Sequence, residues 1–183
     1  MDPFEQIPSA LLEKAKQIRL LVSDLDGVLT DGGIILDDQG TEYKKFQVKD
    51  GQIISYLKQA GIQTGILSGR NVKVSQIRCE QMAVDFHYHG VRDKWATLKE
   101  IIDKKQLPAS GVAYIGDDLI DAELLSKVGL SAAPADAISY IRSSVDFVTN
   151  QKGGKGAFRE LADLILFSQE KLPFAQVQSK KTY

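Results

Sequence analysis

The chain is 183 residues long, 43% hydrophobic and 26% charged, enough for one soluble globular domain with a sizeable core. Lys and Arg (23) nearly balance Asp and Glu (24), leaving a formal charge of −1. There is no basic excess for nucleic-acid binding and no apolar run of the ~18 residues that a membrane span needs. A single cysteine, Cys79, excludes an internal disulfide and a cysteine zinc cluster; with an acidic N-terminus unlike a secretory signal, this predicts a cytoplasmic protein.

Pro8 and Ser9 ahead of Leu11, Leu12, Ala15 and Ile18 predict a short amphipathic helix within residues 1–17. Residues 19–23 read as an apolar strand that runs into Asp24. Residues 32–37 and 41–46 read as two short strands around Asp38-Gln39-Gly40, a hairpin insertion spanning 32–46. Asp50 is expected to N-cap a helix that buries Ile53, Ile54, Leu57 and Ala60 and stops at Gly61. A strand at 62–67, a helix capped by Asn71 and running to about Met82, and a strand at 84–89 follow. Asp93 is expected to cap a helix burying Trp95, Leu98, Ile101 and Ile102. Next come a strand at 111–115 and a helix with Ile120, Leu124, Leu125 and Val128, ended by Gly129. Strands at 130–133 and 145–148 flank a helix at 137–141, and Phe158, Leu161, Ile165 and Phe167 mark a last helix. Residues 18–172 form the expected main domain and the polar residues 173–183 a mobile tail. The alternation predicts an α/β fold: a three-layer, Rossmann-like parallel sheet with helices on both faces, plus the β-hairpin after the first strand. Such sheets bind ligands at the carboxyl ends of their strands.

The chemistry-bearing residues fall at those ends. Asp24-Leu25-Asp26-Gly27 follows the first strand, Ser68-Gly69-Arg70 the second parallel strand, Lys94 the strand at 84–89, and Gly116-Asp117-Asp118-Leu119-Ile120-Asp121 the strand at 111–115. Several carboxylates in one crevice need a compensating cation, and oxygen ligands suit Mg²⁺. Ser68 and Lys94 would face a phosphate, one by hydrogen bond and one by charge. The pattern points to metal-assisted phosphoryl transfer.

These four motifs, in this order and each at a strand end, resemble the haloacid dehalogenase superfamily of phosphatases over residues 18–168. The resemblance implies that Asp24 is the nucleophile of an aspartyl-phosphate, and that Asp26 is general acid and then base. It implies that Ser68 and Lys94 bind and neutralise the phosphate. Mg²⁺ would be held by the Asp24 carboxylate, the Asp26 carbonyl and the Asp117 carboxylate, with Asp118 and Asp121 orienting ligands, waters or Lys94 from behind. The interval from Asp24 to Ser68 is filled by a hairpin, a helix and a strand, and that from Ser68 to Lys94 by a helix and a strand, so neither holds a cap domain. An uncapped site predicts a homo-oligomer in which a neighbour, meeting the hairpin, supplies the lid.

The strings Asp24-Leu-Asp-Gly-Val-Leu-Thr-Asp-Gly32, Phe46-Gln-Val-Lys-Asp-Gly51, Ser68-Gly-Arg70, Gly116-Asp-Asp-Leu-Ile-Asp121 and Gly153-Gly-Lys-Gly-Ala-Phe-Arg-Glu160 are similar to one capless subgroup, the 3-deoxy-D-manno-octulosonate 8-phosphate phosphatases. That resemblance implies a Mg²⁺-dependent tetramer acting on an eight-carbon sugar-acid phosphate of lipopolysaccharide synthesis. It implies substrate contacts at Lys49, Asp50, Gly51, Gly69, Arg70 and Arg78, and a tail, Gln176 to Tyr183, that reaches a neighbour's site. Lys49 stands where relatives commonly carry Arg, and Ser55 where some carry a basic residue. Two other functions stand beside this one: a phosphatase for nine-carbon 2-keto-3-deoxy sugar phosphates, whose members tend to be acidic at the position of Arg70, and a non-catalytic module that tetramerises a sugar-nucleotide enzyme. His87 and His89 share a strand face without a third ligand and read as structural or interfacial. Cys79 reads as a small buried hydrophobe. Lys152 to Gly156 reads as a flexible loop near the site, either cradling a phosphate or only connecting elements; it lacks P-loop spacing.

Overall fold

Four consecutive buried residues, Leu20–Ser23, make β1, the central strand of a sheet with both faces covered. In the computed structural model, which describes residues 7–172, β1 pairs in parallel with β4 (Gln63–Ser68) on one side and β6 (Val112–Ile115) on the other. β5 (Phe86–His89) extends the sheet beyond β4. On the other side β7 (Leu130–Ala133) and then β8 (Phe147–Val148) extend it beyond β6. The order is β5-β4-β1-β6-β7-β8, so the chain reverses its direction of growth at β1, where α/β sheets open their ligand crevice.

Side chains alternate across the pleat and build two cores. Leu21, Ala113 and Ile115 face α1 (Ser9–Lys16), α2 (Val48–Gln59), α3 (Lys73–Met82) and α7 (Ala157–Ser168). Leu20, Val22, Val112 and Tyr114 face α4 (Lys94–Lys104), α5 (Ala122–Leu125) and α6 (Ser139–Arg142). The last helix carries the largest apolar load: Phe158, Leu161, Ala162, Leu164, Ile165 and Leu166 are all buried. α1 is pinned to it from the N-terminal side, with Gln169 Nε2 donating to the carbonyls of Ala15 and Ile18. None of the helices among the described residues is long and apolar enough to cross a membrane.

Several local expectations are corrected. The hairpin strands are only two residues each, β2 (Ile35–Leu36) and β3 (Glu42–Tyr43), because the apolar run Ile34–Leu36 finds no core and lies exposed. Asp50 does not cap α2: Gln47 holds that position, and Asp50 is buried one turn in, accepting from the backbone N–H of Arg159 at 2.9 Å. Asn71 does not cap α3 either; it precedes the N-cap Val72 and accepts from Gln76 Nε2. The helix after β6 breaks into a 3₁₀ turn, Leu119–Asp121, and the four-residue α5, because Asp118 and Asp121 form a reciprocal capping box there. Asp93 does cap α4, accepting from Ala96 N–H at 2.8 Å, and Gly61 stops α2 with φ +76°. The intervals 25–67 and 69–93 hold only the hairpin, α2, β4, α3 and β5, so no cap domain stands in either. The expected tail at 173–183 lies outside the described residues.

Candidate active site

The strand ends place the charged residues. Asp24 follows β1 directly, its N–H still donating to Ile115 O as if the ladder continued, while Asp117 lies two residues beyond β6 on the neighbouring strand. Lys94 opens α4, and its side chain runs back under the carboxylates, completely buried. Its Nζ lies 3.0 Å from Asp24 Oδ2, 2.6 Å from Asp121 Oδ1 and 3.3 Å from the Tyr114 hydroxyl oxygen. Tyr114 donates its O–H to Asp121 Oδ1 at 2.5 Å, and Asp121 Oδ2 accepts from the N–H groups of Asp117 and Asp118 at 3.0 and 3.3 Å. Asp121 thus spends both oxygens on holding Lys94 and the Asp117 turn. Asp118 is exposed and accepts from Leu119 N–H.

Asp24, Asp117 and Asp121 bring one carboxylate oxygen each within 4.8 Å of one another. Their crowding is electrostatically expensive. Burial pushes the Asp24 carboxyl up to about 7, with Lys94 pulling the other way. Burial, then the charges of Asp24, Asp121 and Asp118, pushes Asp117 up to about 7 as well. Burial also works against the charge of Lys94, but Asp24 and Asp121 more than offset it and raise that amine. The turn is shaped around this cluster. Gly27 has φ +84°, and a Cβ there would sit 2.0 Å from Asp117 Oδ2, so only glycine lets the Asp117 carboxylate approach the Asp24 turn.

The same turn meets residues 152–156. Gly154 N–H donates to Val28 O at 2.9 Å, and a Cβ on Gly153 would lie 2.0 Å from Gly27 O. The glycines at 153 and 154 therefore permit close backbone packing behind the Asp24 turn. On the other side, Ser68 ends β4; its hydroxyl donates to Arg70 O at 3.0 Å and accepts from Arg70 N–H at 3.2 Å, which closes the loop that Gly69 continues.

A model of haloacid dehalogenase-like hydrolases matches residues 77–161 of this chain. The 3-deoxy-D-manno-octulosonate 8-phosphate phosphatase of Escherichia coli (strain K12) is 40% identical over 176 residues, which span 96% of this chain and 94% of that protein. The chain belongs to this family of hydrolases. The 3-deoxy-D-manno-octulosonate 8-phosphate phosphatase of Yersinia pestis, solved at 1.95 Å, superposes with a TM-score of 0.88 at 41% identity, covering 90% of this chain and 89% of that one. The phosphatase of Moraxella catarrhalis, solved in complex with magnesium ion, phosphate ion and KDO, superposes with a TM-score of 0.88 at 34% identity, covering 93% and 98%.

In this haloacid dehalogenase-like hydrolase two residues beside the site, Lys44 and Glu42, were missed by sequence reasoning. Lys44, from the end of the hairpin, has its side chain almost fully buried and forms an ion pair with Asp26 Oδ1, with Glu42 Oε1 at 3.5 Å from the same amine. Glu42 also takes both Nη groups of Arg70, at 3.0 and 2.7 Å. The hairpin is thereby tied to Asp26 and to the end of β4. The only clue in the sequence is that Glu42 and Lys44 stand two apart on one face of a strand. The remaining expected contact residues gather elsewhere. Gly51 and Arg78 line a cleft of about 800 Å³ between α2 and α3, together with Arg159 and Met82; Asp50 is buried beside it, held by the Arg159 N–H. Arg78 packs over the Phe46 ring at 5.7 Å. Among the described residues this group shares no hydrogen bond or ion pair with the carboxylate cluster, and Lys49 is exposed.

Proposed function

We propose that this chain is a Mg²⁺-dependent phosphomonoester hydrolase that releases phosphate from 3-deoxy-D-manno-octulosonate 8-phosphate in lipopolysaccharide precursor synthesis. The observation that carries the reading is the buried Lys94 held between Asp24 and Asp121 at the ends of β1 and β6, facing Asp117. The eight-carbon substrate is supported by the 40% identity to the Escherichia coli phosphatase across nearly the whole chain.

The donor set fits Mg²⁺. Asp24 and Asp117 are oxygen ligands whose carboxyls are pushed up to about 7 by burial, which a divalent cation between them would reverse, and the Gly27 turn leaves room for the approach. The Asp24 and Asp117 carboxylates, with the Asp26 carbonyl, would hold it; bound there, Mg²⁺ supplies charge neutralisation for the transferring phosphoryl group.

Asp24 attacks phosphorus while Lys94, already seated against Asp24 Oδ2, answers the charge that builds on the phosphoryl oxygens. As the ester bond breaks, Asp26 in the role of general acid delivers a proton to the leaving alkoxide. The resulting carboxylate then takes a proton from the water that attacks the aspartyl-phosphate, which frees phosphate and restores both acids. Lys44 grips Asp26 Oδ1 and leaves Oδ2, which has no hydrogen-bond partner, to move the proton. Ser68 offers its hydroxyl to the phosphate by exchanging the Arg70 carbonyl for a phosphate oxygen. Glu42 takes one N–H from each Nη of Arg70, which leaves the other guanidinium N–H groups of this partly exposed side chain for a sugar carboxylate. Asp50, Gly51 and Arg78 sit away from this cluster; they belong to the substrate site if a neighbouring copy completes it. The assembly we infer is a cytoplasmic homotetramer joined through the hairpin, whose Ile34, Ile35, Leu36 and Tyr43 are more than half exposed.

Phosphate release from the eight-carbon substrate, its nine-carbon analogue and a simple aryl phosphate, with Mg²⁺ and with EDTA, tests the proposal. The expected result is Mg²⁺-dependent turnover with the highest kcat/KM for the eight-carbon ester. Metal-independent turnover would overturn the mechanism, and equal kcat/KM for all three would overturn the specificity.

A further inference from the structure

A second cluster of ligand atoms lies outside the carboxylate site and plays no part in the chemistry above. His87 and His89, two apart on β5, turn the same face toward α3, and α3 presents Cys79 to them. The Cys79 sulfur and one nitrogen of each imidazole all lie within 4.8 Å of one another. His87 Nδ1 is 3.0 Å from His89 Nε2, and the rings meet edge-on with centroids 5.1 Å apart. The other nitrogen of His89, Nδ1, is buried without a hydrogen-bond partner. The third ligand missing from the sequence pattern is thus the chain's one cysteine, brought in by the β4–α3–β5 crossover.

We propose that Cys79, His87 and His89 form a binding site for a thiophilic divalent cation of the Zn²⁺ class, separate from the Mg²⁺ site. One thiolate and two imidazoles are the donor set that Zn²⁺ selects, and Mg²⁺, which seeks oxygen, does not compete for it. Zn–S bonds of about 2.3 Å and Zn–N bonds of about 2.0–2.1 Å at tetrahedral angles set ligand atoms roughly 3.4–3.6 Å apart. The cluster reaches that spacing if the imidazoles part by a few tenths of an ångström and Cys79 closes in. The cation replaces the proton that now links the two rings. It also displaces the proton of the thiol, which burial otherwise keeps protonated by pushing it up to about 12. Three protein ligands leave a fourth position for water, and both imidazoles are partly exposed, which gives an ion a way in. His89 pairs in register with Ser68 at the end of β4, so the site opens on the same rim of the sheet as the carboxylates.

The full-length, Mg²⁺-saturated protein titrated with Co²⁺ tests this independently of any phosphatase activity. The expected result is a thiolate-to-cobalt charge-transfer band that saturates at one Co²⁺ per chain and is abolished by one equivalent of Zn²⁺. Since Cys79 is the only cysteine, Cys79→Ala should remove the band, and Asp24→Asn should leave it unchanged. His89→Gln, at a partly exposed position that keeps the thiol, should weaken Co²⁺ binding by at least about 100-fold, the upper end of what loss of an outer ligand partner costs. Absence of the band in the wild-type protein, its persistence in Cys79→Ala, or unchanged affinity in a folded His89→Gln protein would overturn the proposal.

Discussion

Lys94 holds its charge with no contact to water, which is affordable only because three groups meet its amine: Asp24, Asp121 and Tyr114. Asp121 is in turn held by two backbone N–H groups, so the amine is aimed at Asp24 by a chain of fixed contacts rather than by its own flexible stem. Asp50 shows the opposite economy. It is buried with one oxygen on Arg159 N–H and the other without a partner, and burial raises its carboxyl from 3.8 to about 6. A folded value above the unfolded one means that stability is fully present below about 4 and is lost as pH rises toward 6. Asp50→Asn keeps the acceptor for Arg159 and removes the charge. It should therefore stabilise the protein at pH 7 by roughly 3 kcal/mol in urea unfolding, with the gain vanishing near pH 4. A variant less stable than wild type at pH 7 would contradict this reading of Asp50.

At the scale of elements, the glycines at 153 and 154 matter because of where α7 starts. The turn that launches this helix is pressed against the turn that carries Asp24 and Asp26. Gly153→Ala would drive a methyl group into Gly27 O, so kcat should fall by about tenfold or more, the equivalent of about 1.4 kcal/mol in the barrier, while the protein stays folded by circular dichroism. Unchanged kcat would detach this loop from the site. The six sheet strands and the order of the motifs were legible because parallel strands are short apolar runs, two of which, β1 and β6, lead into carboxylates. Partners from distant elements were not. Asp50 at the start of a helix looks like a cap, and its true partner Arg159 is 109 positions away. Lys44 and Glu42 look like solvated hairpin charges until Asp26 and Arg70 are folded against them. Cys79 and the two histidines are unremarkable until α3 lies across β5.

For the whole molecule, the sheet offers a rim of charged residues with no cap domain above it among the described residues, and the hairpin beside that rim exposes Ile34, Ile35 and Leu36. Apolar side chains this exposed on a short ribbon belong against another surface. In the inferred assembly that surface is a second copy, so Leu36→Glu should shift the protein to monomer in sedimentation velocity and raise KM; an unchanged sedimentation coefficient would place the interface elsewhere. In the proposed reaction Asp24, backed by Lys94, takes the phosphoryl group. Acid-quenched single-turnover enzyme, digested at low pH and weighed by mass spectrometry, reads this directly. One phosphoryl group should appear on Asp24, appearing and decaying at rates that account for kcat, and be absent from Asp24→Asn. A phosphoryl group on another residue, or turnover retained by Asp24→Asn, would contradict the account.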